Sequence, residues 1–536
     1  MNQENGRKGS GQIILALLPD ITLLIRLAIS VILLIAAYRL NVSSLISVLI
    51  MIAAALIAGT DILISAVRAV SDGAYFDTSC LVSVAAIAAF DAGCFAESVV
   101  FLIIFQVFSS LHKNLLKLTK DMCLGFIPTE SDSVFSGLRN DIKRSDALEE
   151  ATESFEHKVY TADKVLSLIA MLFAIVMPLL TDMTYVMSVR RGAMLLAAAV
   201  PVSVLPLFSL CRKFGVSFVA AFGVYLKDPE VFNKAKDVKT LVFDKTDVIS
   251  GGVLKIAAVS SPLLNKDSFL RILAHSVYNS EQRIAKPLLS AYNGEIRPEL
   301  ISGFTDLPGK GVELSISGKS ILFGTKELFD IRGIGISEGD IRSGYVMYLA
   351  VSGKYAGSVV FSESLNPYAE QAISELARMR IGSILLSEDG ADICEKTADQ
   401  IGVDKFFAGC DAAKKMSVLK ELKAGCDDGE GLLYVSAESV GYHTDADIDA
   451  LVGNASDCED IIMSNIGIFG LPALIRTADA VSLKNRQNTF IMAAVKLLLI
   501  VLALTGWSTL WFVALLDFAV GMLCILNILR ISHYIE

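Results

Sequence analysis

Charge is scarce in this chain: Asp, Glu, Lys and Arg make up only 19% of its 536 residues. So little charge excludes an ordinary soluble multidomain enzyme, in which about a quarter of residues are ionised. There is no basic surplus either, and a formal net charge of −10 disfavours nucleic acid as a partner. The nine cysteines are scattered and form no CxxC pair, so neither a disulfide framework nor a thiolate metal module is indicated. In place of these features stands apolar bulk, with 53% hydrophobic residues and a mean hydropathy of +0.57. This is the composition of a membrane protein.

Crossing a bilayer takes about 20 apolar residues. Suitable segments lie near 13–38, 43–67, 78–92, 95–112, 162–181, 190–212, 489–507 and 509–530. Asp91, Gly93 and Glu97 interrupt the stretch 78–112, which reads as two helices joined by a tight turn. The first segment carries Pro19 and Asp20 and precedes a second span, so it reads as an anchor rather than a cleaved signal. About eight helices, an even number, put both termini on one side of a cell membrane. The Lys and Arg of the polar block 214–484 argue that this side is the cytoplasm. Arg190 and Arg191 sit at the opposite end of a helix and run against that rule.

Three polar stretches follow the helices. Segment 113–160 reads as a short charged loop with helical periodicity toward its end. Segment 261–355 carries short β-like runs, such as 311–316 and 320–323, punctuated by glycine. Around it, strands 240–243, 383–386 and 431–435 alternate with helical stretches near 366–379, 391–401 and 412–424. That alternation predicts a parallel, doubly wound sheet. Asp244, Ser387 and Asp389 fall at the C-terminal strand ends, where such sheets place their sites.

The apolar run 240–243 ends in Asp244-Lys245-Thr246 and continues Asp247-Val248-Ile249-Ser250. A strand ending in Asp-Lys-Thr between membrane helices resembles the phosphorylation site of the P-type ATPases, whose own motif continues DKTGTLT. The likeness covers nearly the whole chain and is closest to the heavy-metal, zinc/cadmium type. Ala55 to Asp61, Tyr75-Phe76-Asp77, Glu97, the run 101–111, Arg486-Gln487-Asn488, Gly506-Trp507 and 527–530 all contribute to it. The resemblance implies transmembrane helices over 1–112, 161–213 and 485–536. It further implies a haloacid dehalogenase-like α/β phosphorylation domain split over 214–260 and 356–484, and an α+β nucleotide-binding domain inserted at 261–355.

The same resemblance assigns roles. Asp244 is implied as the nucleophile, with Lys245 and Thr246 beside it and Asp389 nearby. Ser387 is implied to hold phosphoryl oxygens, and Lys414 to screen the aspartyl phosphate. Glu281, Gly309 and Gly311 are implied to meet ATP. Asp517 is implied as a ligand of the transported divalent cation, with Lys496 as a built-in counter-ion. A lone charge at mid-membrane costs about 2.5–3.5 kcal/mol, which by itself points to pairing or function; a purely structural ion pair is the alternative.

The departures from the family pattern are as informative. Val200-Pro201-Val202 stands where the family has Cys-Pro-Cys, and valine cannot ligate zinc or cadmium. Ser280 to Lys286 resembles the family's SEHPIAK, with Gln282-Arg283 in place of His-Pro. The family's GDGxND loop, which holds Mg²⁺, reads 436–441 here and has lost both aspartates, leaving Glu438 as the one substitute carboxylate. Asp247 and Glu388-Asp389 add negative charge, and two like charges 4 Å apart repel by roughly 4 kcal/mol at an effective dielectric of about 20. Segment 113–160 is too short for the family's actuator domain, although Thr129-Glu130-Ser131 resembles its TGES loop. The expectation is a pseudoenzyme in the lipid bilayer, regulating or scaffolding an active transporter. A reduced but working ATP-driven exporter, or a membrane-tethered phosphoryl enzyme, are the alternatives.

Overall fold

The computed structural model describes residues 19–39, 44–127, 154–180, 182–199, 204–228, 230–280, 282, 284–307, 309–336, 345–427, 429–437, 444–453, 460–464 and 467–531. They divide into two compact units, Met1–Lys236 with Ala473–Glu536, and Asp237–Pro472.

The first unit is helical. Ile21–Arg39, Ser44–Ser71, Thr78–Asp91, Phe95–Phe126, Ser154–Leu180, Tyr185–Ala199, Val204–Ala220, Leu471–Thr505 and Leu510–Leu529 form the bundle, with the short strand β1 (Val224–Leu226) after the seventh. Five of these helices are long and apolar enough to cross a membrane. The stretch 78–112 does break into two helices. Asp77 caps the first by accepting from the amide of Ser79 at 2.8 Å, and Gly93 turns the chain at φ +75°. Two sequence expectations are corrected. Phe95–Phe126 runs well into the supposed loop 113–160, and Ser154–Leu180 begins inside it; residues 128–153, with Thr129-Glu130-Ser131, lie outside the described residues. The single span expected at 190–212 is two helices, Tyr185–Ala199 and Val204–Ala220. Pro201 lacks the N–H that a continuous helix needs.

Several charges inside this bundle are partnered. Arg26 pairs with Asp61, which also accepts from Gln106 Nε2 at 2.8 Å. Glu97 accepts from Arg190 at 3.1 Å through one oxygen and from the backbone N–H of Leu510 at 2.9 Å through the other. The second contact satisfies an orphan donor at a helix start, where a carboxylate also suits the dipole. Arg191 donates to the carbonyl of Leu504 at 3.0 Å.

The second unit holds two sheets. Parallel strands β2 (Val238–Asp244), β9 (Gly382–Leu386), β10 (Lys405–Phe407), β11 (Gly431–Ser436), β12 (Ile448–Val452) and β13 (Ile461–Met463) lie in the order β13-β12-β11-β2-β9-β10. Their near-continuous burial is what a sheet covered on both faces requires. From β2 the chain fills one side of the sheet with β9 and β10, then the other with β11 to β13. The switch point is therefore the C-terminal end of β2, which is Asp244. The other sheet is antiparallel: β3 (Ser250–Ser260), β4 (Ile301–Leu307), β5 (Gly311–Ile316), β6 (Lys319–Gly324), β7 (Tyr345–Val351) and β8 (Lys354–Leu365), in the order β3-β8-β7-β6-β5-β4. It packs on Lys266–Val277 and Ala285–Ala291 through a core that includes Phe269, Leu273, Ile284, Phe323 and Val359. Its ladder starts at Ser250 and ends at Leu365, so it reaches beyond the expected 261–355 on both sides.

Candidate functional site

The tip of β2 brings together residues from three elements. Asp244 is 7% exposed. Its Oδ2 accepts from Lys415 Nζ at 2.8 Å, while Oδ1 is buried without a hydrogen-bond partner. Lys415 also reaches Glu388 Oε1 at 3.4 Å. Lys245 pairs with Asp389 Oδ2, which accepts from Ser387 Oγ at 3.0 Å as well. Asp247, where the family motif has glycine, sits at φ +60° with its amide donating to Ser250 Oγ at 3.0 Å. Beside these groups lies a cleft of about 570 Å³ lined by Lys245, Thr246, Ser387, Asp389, Tyr345 and Phe361.

One expected contact falls a residue away, since Lys415 rather than Lys414 meets Asp244. Lys414 does not touch Asp244; its Nζ bonds the carbonyls of Ala408 and Gly409 at 3.3 Å. Asp411 caps Ala412–Ala424 by accepting from the amide of Lys414, which places Lys414 in the exposed first turn. Lys415, one residue further round the helix, shares the inward face of Val418, Leu419 and Leu422. That spacing is visible in the sequence and is the signal that identifies Lys415. Ser387 likewise spends its hydroxyl on Asp389.

Burial pushes the Asp244 carboxyl above the usual carboxylate range, against the opposing pull of Lys415 and of the Thr246 backbone. Burial works against the charge on Lys415 too, but its contacts with Asp244 and Glu388 outweigh that and raise it. The pair therefore holds its proton firmly. Two ammonium groups thus occupy the carboxylates of Asp244 and Asp389. Among the described residues no three His, Cys, Asp or Glu converge as a metal site, and Glu438 lies outside the described residues. Among the described residues, the carboxylates of Asp244, Glu388 and Asp389 are paired with lysines rather than open to Mg²⁺.

The glycines expected at the nucleotide form the turn between β4 and β5. Gly309 has φ +73° and Gly311 φ +136°, and a Cβ on Gly311 would lie 2.1 Å from the carbonyl oxygen of Phe323. The side chain of Gln282 already fills the approach to this turn. Its Nε2 donates to Asp306 Oδ1 and, at 3.2 Å, to the carbonyls of both Leu307 and Gly311. Ser280 Oγ donates to the other oxygen of Asp306 at 2.7 Å. Glu281 lies outside the described residues.

In the helical unit Lys496 and Asp517 do meet, at 3.8 Å, and Lys496 Nζ also donates to the carbonyl of Ala198 at 3.0 Å. The void beside Asp517 is about 20 Å³ and lined by phenylalanines and alanines, room for a single water-sized occupant. Residues 200–203, with the Val-Pro-Val sequence, lie outside the described residues.

No family model matches the chain. It is 26% identical to the zinc-transporting ATPase of Synechocystis sp. over 356 residues, 64% of this chain and 49% of the relative. It is 24% identical to the cadmium, zinc and cobalt-transporting ATPase of Bacillus subtilis over 420 residues, 75% of this chain and 59% of the relative. The chain thus spans about half the length of the curated relatives it matches. Its fold is similar to a zinc-transporting PIB-type ATPase solved in an E2.Pi state, with TM-score 0.63 and 18% identity over 96% of this chain and 100% of that one.

Proposed function

Because the chain is a relative of the heavy-metal P-type ATPases, we propose that it is a membrane protein of that group in which phosphoryl transfer at Asp244 has been given up. The observation that carries this reading is the contact of Lys415 with Asp244, beside the pairing of Lys245 with Asp389. Phosphoryl transfer depends on positioning and on cations that neutralise the incoming charge. Here the cations are already committed to the protein's own carboxylates, and Glu388 and Asp247 add negative charge at the rim. Gln282, bonded across the glycine turn, stands where the family has the histidine that lies against the adenine ring. The role left to such a chain is regulation or scaffolding of an active transporter in the same bilayer, with both termini cytoplasmic.

The test is incubation of the purified full chain with γ-labelled ATP and magnesium, beside Asp244→Asn. The expected result is no acid-stable, hydroxylamine-sensitive label above the variant. Label that disappears in Asp244→Asn overturns the reading in favour of a working ATP-driven exporter that uses Asp517.

A further inference from the structure

A second cavity, in the antiparallel domain, shares no lining residue with the cleft beside Asp244. It has a volume of about 360 Å³ and is lined by Arg271, His275, Tyr292, Glu295, Arg297 and Ile316, among others. The turn carrying Gly309 and Gly311 joins β4 and β5 at one end of the hairpin; this cavity sits at the other, near Leu300 and Ser317. The length of β5 separates the two, roughly 17 Å at about 3.3 Å per residue.

The cavity is built around a buried histidine. His275 Nε2 accepts from the backbone N–H of Arg297 at 3.1 Å, so its Nδ1 carries the proton and donates to the carbonyl of Arg271 at 2.8 Å. One neutral ring thereby fixes a segment from each side. The Tyr292 ring meets His275 edge-on at 6.1 Å, and Ser317, at φ +51°, closes the rim by donating its amide to the carbonyl of Leu300 at 3.0 Å. Neither guanidinium makes an ion pair or hydrogen bond among the described residues, although Glu295 lines the same cavity. In a chain with a net charge of −10, two arginines at one cavity with no such partner among the described residues are conspicuous.

We propose that this cavity binds a mononucleotide-sized organic phosphate. Arg271 and Arg297 hold the phosphate, and the flat base lies among Tyr292, Ile272 and Ile316. Guanidinium groups match phosphate in geometry and charge. An aromatic ring beside them favours a ligand with a π face over a bare anion. The volume falls at the lower end for small-molecule sites, which suits one base, one sugar and one phosphate. This site is independent of Asp244 and of the glycine turn.

The experiment is equilibrium dialysis of labelled AMP against the full chain in detergent. Saturable binding is expected, weakened at least about tenfold by Arg271→Gln or Arg297→Gln and less by Arg297→Lys. Because Arg297 holds His275 through its backbone, neither substitution dismantles the wall; an unchanged melting temperature checks this. Absence of saturable AMP binding overturns the proposal. So does binding indifferent to both arginines, which would put the ligand elsewhere on the chain. Inorganic phosphate competing as well as AMP overturns the assignment of a base.

Discussion

The charge balance at Asp244 rests on one atom, Lys415 Nζ. Lys415→Met would strand a buried carboxylate whose second oxygen already lacks a partner. Breaking a buried pair from one side costs about 3–5 kcal/mol, and thermal unfolding should show that loss. Asp244→Asn combined with Lys415→Met should recover most of it. The deficit should depend on pH. A carboxyl raised by burial is neutral in both folded and unfolded chains at low pH, so it then costs nothing. As pH climbs past the ordinary Asp value the unfolded chain ionises first, and the penalty grows until the folded value is passed. Lys415→Met should therefore be closer to the parent protein at pH 4 than at pH 7; an equal gap at both would refute the stranded charge. Asp244 itself was legible in the sequence, since an apolar run ending in an acid marks a strand tip. The choice between two adjacent lysines was settled by the cap at Asp411, which sets the phase of the helix.

Single elements carry their own tests. Gly311 holds a positive φ in a strand whose neighbour leaves no room for a Cβ. Gly311→Ala should cost about 1–3 kcal/mol of strain, read as a lower midpoint in denaturant, with little loss of helical signal. The glycine turn was legible because glycine there has a backbone reason. The bonds of Gln282 were not, since a carboxamide in place of His-Pro gives no hint of which carbonyls it meets. The split of 190–212 was foreshadowed by Pro201, yet apolar length alone suggested one span. In the bundle, Asp517→Leu should leave Lys496 in apolar surroundings and lower the yield of folded protein, as an insertion penalty of about 2.5–3.5 kcal/mol demands. Adding Lys496→Leu should restore the yield. If the double variant fares no better than the single, the two side chains are not coupled.

Across the whole molecule, composition and the order of strands revealed most of the architecture. Scarce charge pointed to the bilayer, and alternating strands and helices pointed to the parallel sheet. The reach of the second sheet to Ser250 and Leu365 was hidden, because two strands that leave one sheet for another carry no local mark of the change. Asp237–Pro472 contains strands β2 to β13 and the cores packed on them. Expressed alone, it should remain soluble and give an α/β circular dichroism spectrum with a cooperative melt. Recovery only as aggregate would show that this unit depends on the helices for its fold.

Glu97 bears on how such a bundle can move. A single acid from Phe95–Phe126 grips a side chain of Tyr185–Ala199 and the first amide of Leu510–Leu529. Three rods riveted at one point cannot slide past each other there; they tilt together or the rivet breaks. Displacement of the last helix must therefore carry Phe95–Phe126 with it or break the hydrogen bond between Glu97 and Leu510.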